Sequence, residues 1–174
     1  AALIGPELLL GQIVNTTPSG RGEQLALRGI EHLRQPKVGD NQGRIVDVLH
    51  EALGRADAVI VCGGLGPTQD DITREAIAEL MGVELVRHDE LATFIREMFE
   101  RRGRAMPENN LRQADVPAGA SPIEQRTGTA PGSTCPVADK VIYAGPGVPY
   151  EMRGMLERAG LPDRSGGHPS ELQA

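Results

Sequence analysis

Apolar and polar positions follow two periods along this chain, and the change from one to the other marks its elements. Ala58-Val59-Ile60-Val61-Cys62 is an unbroken apolar run of strand length, as expected of a strand buried on both faces. Ala1 to Ile4 reads as the end of a strand, and Val141 to Ala144 as another buried one. Ile45, Val46, Leu49 and Leu53 recur at helical spacing behind Asp40, a residue able to cap that helix. Ile72 to Met81 predicts a further helix, with Gly82 where a left-handed residue closes it. Leu91, Phe94, Ile95 and Met98 form one stripe of a helix from Leu91 to Arg102, stopped by Gly103. Shorter helices are expected over Glu23 to Gly29, Pro107 to Ala114 and Tyr150 to Arg158. Val83 to Val86 reads as a strand and Glu31 to Gln35 as a weaker one, and Cys135 falls in a turn or strand. Strands alternating with helices in this way predict an α/β/α domain with a mostly parallel sheet.

The chain has 174 residues, the size of one domain. The alternating pattern runs through 1–158. Residues 159–174 carry breakers and no apolar period, so a disordered tail is expected there. With no Trp, two Tyr and two Phe, the core is aliphatic. A net charge of −6 argues against nucleic acid as a primary partner. Arg96, Arg101, Arg102 and Arg104 read as a solvated helix end favoured by the dipole. Cys62 and Cys135 lack the spacing of a zinc site or a disulfide framework and read as buried free thiols. The four His are scattered, without paired-His spacing. No apolar run reaches the roughly 18 residues of a membrane span. The sequence shows no basic n-region followed by an apolar h-region, so no secretory signal and, by default, a cytoplasmic location are expected. Position 1 is not Met, which suggests that the first strand is trimmed or processed.

The chemistry concentrates in Val61-Cys62-Gly63-Gly64-Leu65-Gly66-Pro67-Thr68-Gln69-Asp70-Asp71-Ile72-Thr73. A glycine-rich turn between a buried strand and a helix aims backbone N–H groups and the positive end of the helix at one point, which suits a phosphate. It has no Lys-Ser/Thr pair, so it is not a P-loop, and it lacks the dinucleotide-binding spacing. Asp70 and Asp71 would repel a bare anion unless a cation, a pterin or a ribose lies between. The plain structural reading is a tight strand–helix connection with Asp71 as N-cap. Two further polar turns, Gly5-Pro6-Glu7 and Gly145 to Pro149, also follow strands, and ligands of open α/β sheets bind at such strand ends. Asp40 caps a helix that feeds the central strand, so its end of the sheet is left open.

Several motifs in order resemble the N-terminal domain of the CinA (competence/damage-inducible protein) family, a branch of the molybdopterin-binding, MoCF-like superfamily. Gly5 to Thr16 looks like the opening G-x-E-L-L-x-G-x-I segment, and Val38-Gly39-Asp40-Asn41 like V-G-D-N. Gly63 to Thr73 matches G-G-L-G-P-T-x-D-D-x-T. Pro107-Glu108-Asn109-Asn110, Arg112-Gln113-Ala114 and Gly128-Thr129-Ala130-Pro131-Gly132 follow, and Pro146 to Met152 resembles P-G-V-P-x-E-M. The resemblance covers roughly residues 3 to 157. It departs from the family at Pro6, at the breaker-rich Thr17 to Gly22 and at Gln125.

The resemblance implies hydrolysis of a pyrophosphate bond in ADP-ribose-type substrates, with a divalent metal cation as cofactor. Sister branches bind or adenylylate molybdopterin. Full-length relatives often continue into an amidase domain, whose activity is not carried over. Asp71, Asp40, Asp70 and Glu7 become the expected catalytic acids. Gly63, Gly64, Leu65, Gly66, Thr68, Thr129, Gly147 and Pro149 become the expected ligand contacts. Asp71, Asp40 and Glu151 are the expected metal ligands, since hard cations prefer oxygen. Each acid has a plainer role: Asp71 and Asp40 as caps, Glu7 binding backbone amides, Glu151 complementing a helix dipole. Arg112 is the motif-borne basic residue expected nearby. A second reading is a non-catalytic nucleotide- or pterin-binding module. Expected partners are a small nucleotide or pterin ligand and a second copy of the chain as homo-oligomer, with no nucleic acid and no membrane.

Overall fold

The apolar run at 58–62 forms the strand β3 (Ala58–Cys62), buried from Val59 onward. A computed structural model describes residues 2–4, 37–123 and 130–147 of the chain. The elements expected over 23–29, 31–35 and 150–158, the tail at 159–174, and Glu7, Thr129, Pro149 and Glu151 lie outside the described residues.

In chain order the elements are β1 (Ala2–Ile4), β2 (Lys37–Val38), α1 (Gln42–Leu53), β3, α2 (Thr73–Met81), β4 (Leu85–Arg87) and α3 (Asp89–Arg101). A 3-10 helix (Glu108–Ala114) follows, then β5 (Asp115–Pro117), β6 (Ser121–Ile123), β7 (Gly132–Val137) and β8 (Lys140–Gly145). Six strands form one sheet in the order β2-β1-β3-β8-β7-β6. The pairings from β2 through β8 are parallel, and β7 alone opposes the other strands, pairing antiparallel with both β8 and β6, so the sheet is mostly parallel with one reversed strand. The sequence pattern missed β6 and left β7 open because Pro122 and Pro136 interrupt them, residues that weaken any strand reading.

α1 and α2 follow from connections that move the chain the same way across the sheet, from β2 to β3 and from β3 to β6. Right-handed crossovers place both on one face. They pack on each other there and share one core, in which Ile45, Leu49, Val61, Ile77 and Ile142 are buried. A smaller cluster holds α3 against the 3-10 helix through Ala92, Ile95 and Ala114. No described helix is long and apolar enough to cross a membrane.

Three boundaries differ from expectation. α1 is capped by Asn41, not Asp40: Asn41 is extended and its side chain accepts the Arg44 N–H at 3.1 Å. α2 begins at Thr73, and Ile72 before it offers no side-chain cap, so Asp71 is not an N-cap. Gly82 closes α2 at φ 68 as expected. The Gly82 and Val83 N–H groups donate to Glu79 O and Ala78 O, both at 3.0 Å, the two bonds of a Schellman cap. Val83 is therefore spent on the cap, and β4 starts only at Leu85, where it pairs with β5 in a second, two-stranded sheet.

Candidate functional site

The four parallel strands end at one edge of the sheet. Strand order reverses between β1 and β3: the chain goes from β1 outward to β2, then returns past β1 to β3 and on to β8. The crevice at such a reversal is where open α/β sheets bind ligands. The loop after β3 stands there. The Gly63 N–H donates to Gly145 O at 3.0 Å, and a Cβ on Gly147 would lie 3.7 Å from Gly63 Cα, so the turns after β3 and β8 touch. Asp40 follows β2 directly, which puts it at the same edge and settles the question its sequence left open.

Within the loop, every carbonyl from Gly63 to Thr68 accepts a hydrogen bond. Thr73 Oγ1 donates to Gly63 O at 2.8 Å and the Thr73 N–H to Gly64 O at 3.1 Å. Arg74 donates to Leu65 O at 2.5 Å and to Gly66 O at 2.8 Å. Asn109 Nδ2 donates to Pro67 O at 3.4 Å, and Arg112 Nη1 donates to Thr68 O at 2.7 Å. The N–H groups of Gly64, Leu65 and Gly66, by contrast, donate to no acceptor among the described residues. Gly64 has φ 66 while Leu65 has negative φ, and opposite-handed successive residues are the backbone pattern of an anion-binding concavity. The loop is thus an acceptor-poor, donor-rich surface at the edge where a ligand docks.

Asp71 has a third role that neither expectation named. Its Oδ2 accepts the Thr68 N–H at 2.9 Å and the Thr68 hydroxyl at 2.5 Å, closing the loop on itself. Thr68 thus spends both its donors on Asp71, not on a ligand. Gly66 makes this closure sterically feasible: a Cβ there would sit 2.5 Å from Asp71 Oδ2. Gly66→Ala is therefore expected to force the carboxylate off Thr68 and lower stability by about 1–3 kcal/mol, the scale of overpacking. A urea unfolding curve identical to wild type would contradict the role given to Gly66. Asp70 is exposed and has no partner among the described residues.

Two arginines brace the loop from behind. Arg112, expected from the motif, also pairs with Glu75 at 2.7 Å. Arg74 was not anticipated. It is 4% exposed, and desolvation holds its pKa below the ordinary arginine value, opposed chiefly by Glu75. The signal for it in the sequence is a lone cation immediately after Thr73, just before the buried Ala76-Ile77-Ala78. Cys135 offers no nucleophile, since burial pushes its thiol up to about 11 against the smaller opposing effect of Ser133. Among the described residues, no three His, Cys, Asp or Glu side chains converge on a metal position.

A family model described as "Probable molybdopterin binding domain" matches residues 2–164. The structure of the protein CinA from Thermoplasma acidophilum superposes with a TM-score of 0.81 at 35% identity, covering 90% of this chain and 91% of that one. The chain belongs to the molybdopterin-binding-domain family, in its CinA branch. A CinA-like protein of Frankia casuarinae is 47% identical over 174 residues, 96% of this chain and 40% of its own length. A CinA-like protein of Gloeobacter violaceus is 48% identical over 160 residues, 91% of this chain and 38% of its own. The CinA-like domain therefore spans about two fifths of the length of these relatives. The molybdopterin biosynthesis enzyme MoaB of Thermus, at 22% identity and a TM-score of 0.59, shares the α/β fold alone.

Proposed function

We propose that this CinA-like domain binds the diphosphate of an ADP-ribose-type nucleotide at the Gly63–Thr68 loop and hydrolyses its pyrophosphate bond. The observation that carries the reading is the pairing pattern of the loop: each carbonyl from 63 to 68 is taken, and the N–H groups of 64–66 have no acceptor among the described residues. Such a row of donors takes phosphate oxygens. A pyrophosphate linkage presents several anionic oxygens in a row, which suits a row of donors. Asp70, exposed and without a partner among the described residues, is the loop acid to take a proton from a water attacking phosphorus. The bridging oxygen then leaves with the second phosphate, giving AMP and ribose 5-phosphate.

The acids here do not make a closed cation cage, since no three converge among the described residues and Asp71 Oδ2 is committed to Thr68. They fit a different arrangement, in which a hard cation is shared between one or two carboxylates and substrate phosphates. Asp70 and the second oxygen of Asp71 are the groups to hold it, with Asp40 at the same sheet edge. The cation would supply neutralisation of charge on the diphosphate.

The test is a product assay on ADP-ribose, with and without divalent cations. AMP and ribose 5-phosphate are expected with cation present, and chelation should stop turnover. Release indistinguishable from buffer would reject hydrolysis. One observation favours a second reading, a non-catalytic nucleotide- or pterin-binding module: Asp71 is engaged in closing the loop, a task that involves no chemistry. Metal-independent binding of ADP-ribose without products would select it.

A further inference from the structure

Three consecutive peptide units of the loop are held by two adjacent residues of α2. Thr73 takes the carbonyl of Gly63 through its hydroxyl and that of Gly64 through its N–H, and Arg74 takes that of Leu65. No described peptide bond is cis, and in a trans unit the N–H points opposite to its own carbonyl. The N–H groups that share these three units belong to Gly64, Leu65 and Gly66, the three that donate to nothing among the described residues. Pulling the carbonyls toward α2 therefore turns the N–H groups away from it, all from one anchor.

Arg74 carries a second feature. It is 4% exposed and makes no ion pair with a carboxylate among the described residues, and its Nε has no hydrogen-bond partner. Its hydrogen bonds go to carbonyls, and Glu75, Asp71 and Asp115 act on its charge only through space, so the buried guanidinium is incompletely compensated. Behind a loop whose Gly64, Leu65 and Gly66 N–H groups have no acceptor among the described residues, an anion on the far side would compensate its charge further.

We propose that Thr73 and Arg74 are positioning residues that aim the Gly64, Leu65 and Gly66 amides at phosphate oxygens, with Arg74 adding a buried positive charge behind the row. This rests on the phosphate reading above and narrows the ligand to one carrying net negative charge at the loop. A pterin lacking a phosphate gains nothing from the arrangement. Each residue governs its own amides: the Thr73 hydroxyl governs Gly64, its N–H governs Leu65, and Arg74 governs Gly66.

The test follows amide resonances of the isotope-labelled full chain as ADP-ribose is added, with inorganic pyrophosphate as a second probe. In wild type the Gly64, Leu65 and Gly66 amide protons should move downfield together. Thr73→Val keeps the shape of a fully buried side chain and removes the hydroxyl. It should abolish the Gly64 response, leave that of Gly66, and weaken binding about tenfold, the worth of one hydrogen bond to a charged group. Arg74→Met should do the converse, and Arg74→Lys should restore part of the affinity by returning the charge. A role confined to stability would lower the melting temperature without residue-specific loss of response. Folded Thr73→Val with all three responses and wild-type affinity overturns the proposal, even if Arg74→Met does not fold. Wild type that binds neither probe refutes the phosphate reading itself, and wild type that binds with silent loop amides refutes the positioning role alone.

Discussion

Gly64→Val is expected to weaken ADP-ribose binding by about 10²-fold or more, since it disturbs a row of donors each worth about 1.5–3 kcal/mol toward a charged acceptor. Two effects add at this position. Gly64 has φ 66, where a β-branched residue is strained, so the turn itself loses about 1–3 kcal/mol. The new side chain is also expected to crowd the N–H groups from 64 to 66, which have no acceptor among the described residues. Gly64→Ala separates them, since alanine brings part of the strain and little of the bulk. Calorimetric titration of both variants, at a temperature where each is folded, reads the outcome. A folded Gly64→Val protein with wild-type affinity would eliminate the loop as the phosphate site.

The second large effect is on turnover. Asp71→Asn keeps one side-chain oxygen, and that oxygen can accept both the Thr68 N–H and the Thr68 hydroxyl as Asp71 Oδ2 does now. The loop should therefore stay closed and ADP-ribose affinity should change little. The negative charge is lost, and turnover is expected to fall by about 10², the scale of removing one charge-stabilising group from a reacting site. Equal turnover in wild type and Asp71→Asn would confine Asp71 to loop closure. A parallel loss of affinity and stability would point to a collapsed loop, which the Thr68 amide resonance distinguishes.

The parts of the fold that local pattern determines were legible in the sequence. The apolar run of β3, the helical stripe of α1 and the glycine stop of α2 are each written in a few consecutive residues. The edge strand β6 and its neighbour β7 were not legible, because each contains a proline that interrupts its strand pattern. The start of β4 was misplaced because Val83 has two uses for its N–H, and the helix cap took it.

The candidate site divides along the same line. The glycines and the placement of the loop at a strand end follow from local sequence. The hydrogen-bond partners do not. Asp71 reads as an N-cap because it precedes a helix, yet the close approach that Gly66 permits turns it back to Thr68. Arg74 drew no attention in the sequence, and only the folded loop shows it buried beneath carbonyls. Asp40 carried no sheet position until β2 was seen to run parallel to β1.

The central claim is that phosphate oxygens sit on the amides of Gly64, Leu65 and Gly66. A crystal structure of the chain with an ADP-ribose analogue whose bridging oxygen is a methylene tests it directly. The account predicts diphosphate oxygens within hydrogen-bond distance of those three nitrogens, at the carboxyl edge between β1 and β3. A diphosphate bound elsewhere, with the three N–H groups facing solvent, would contradict it.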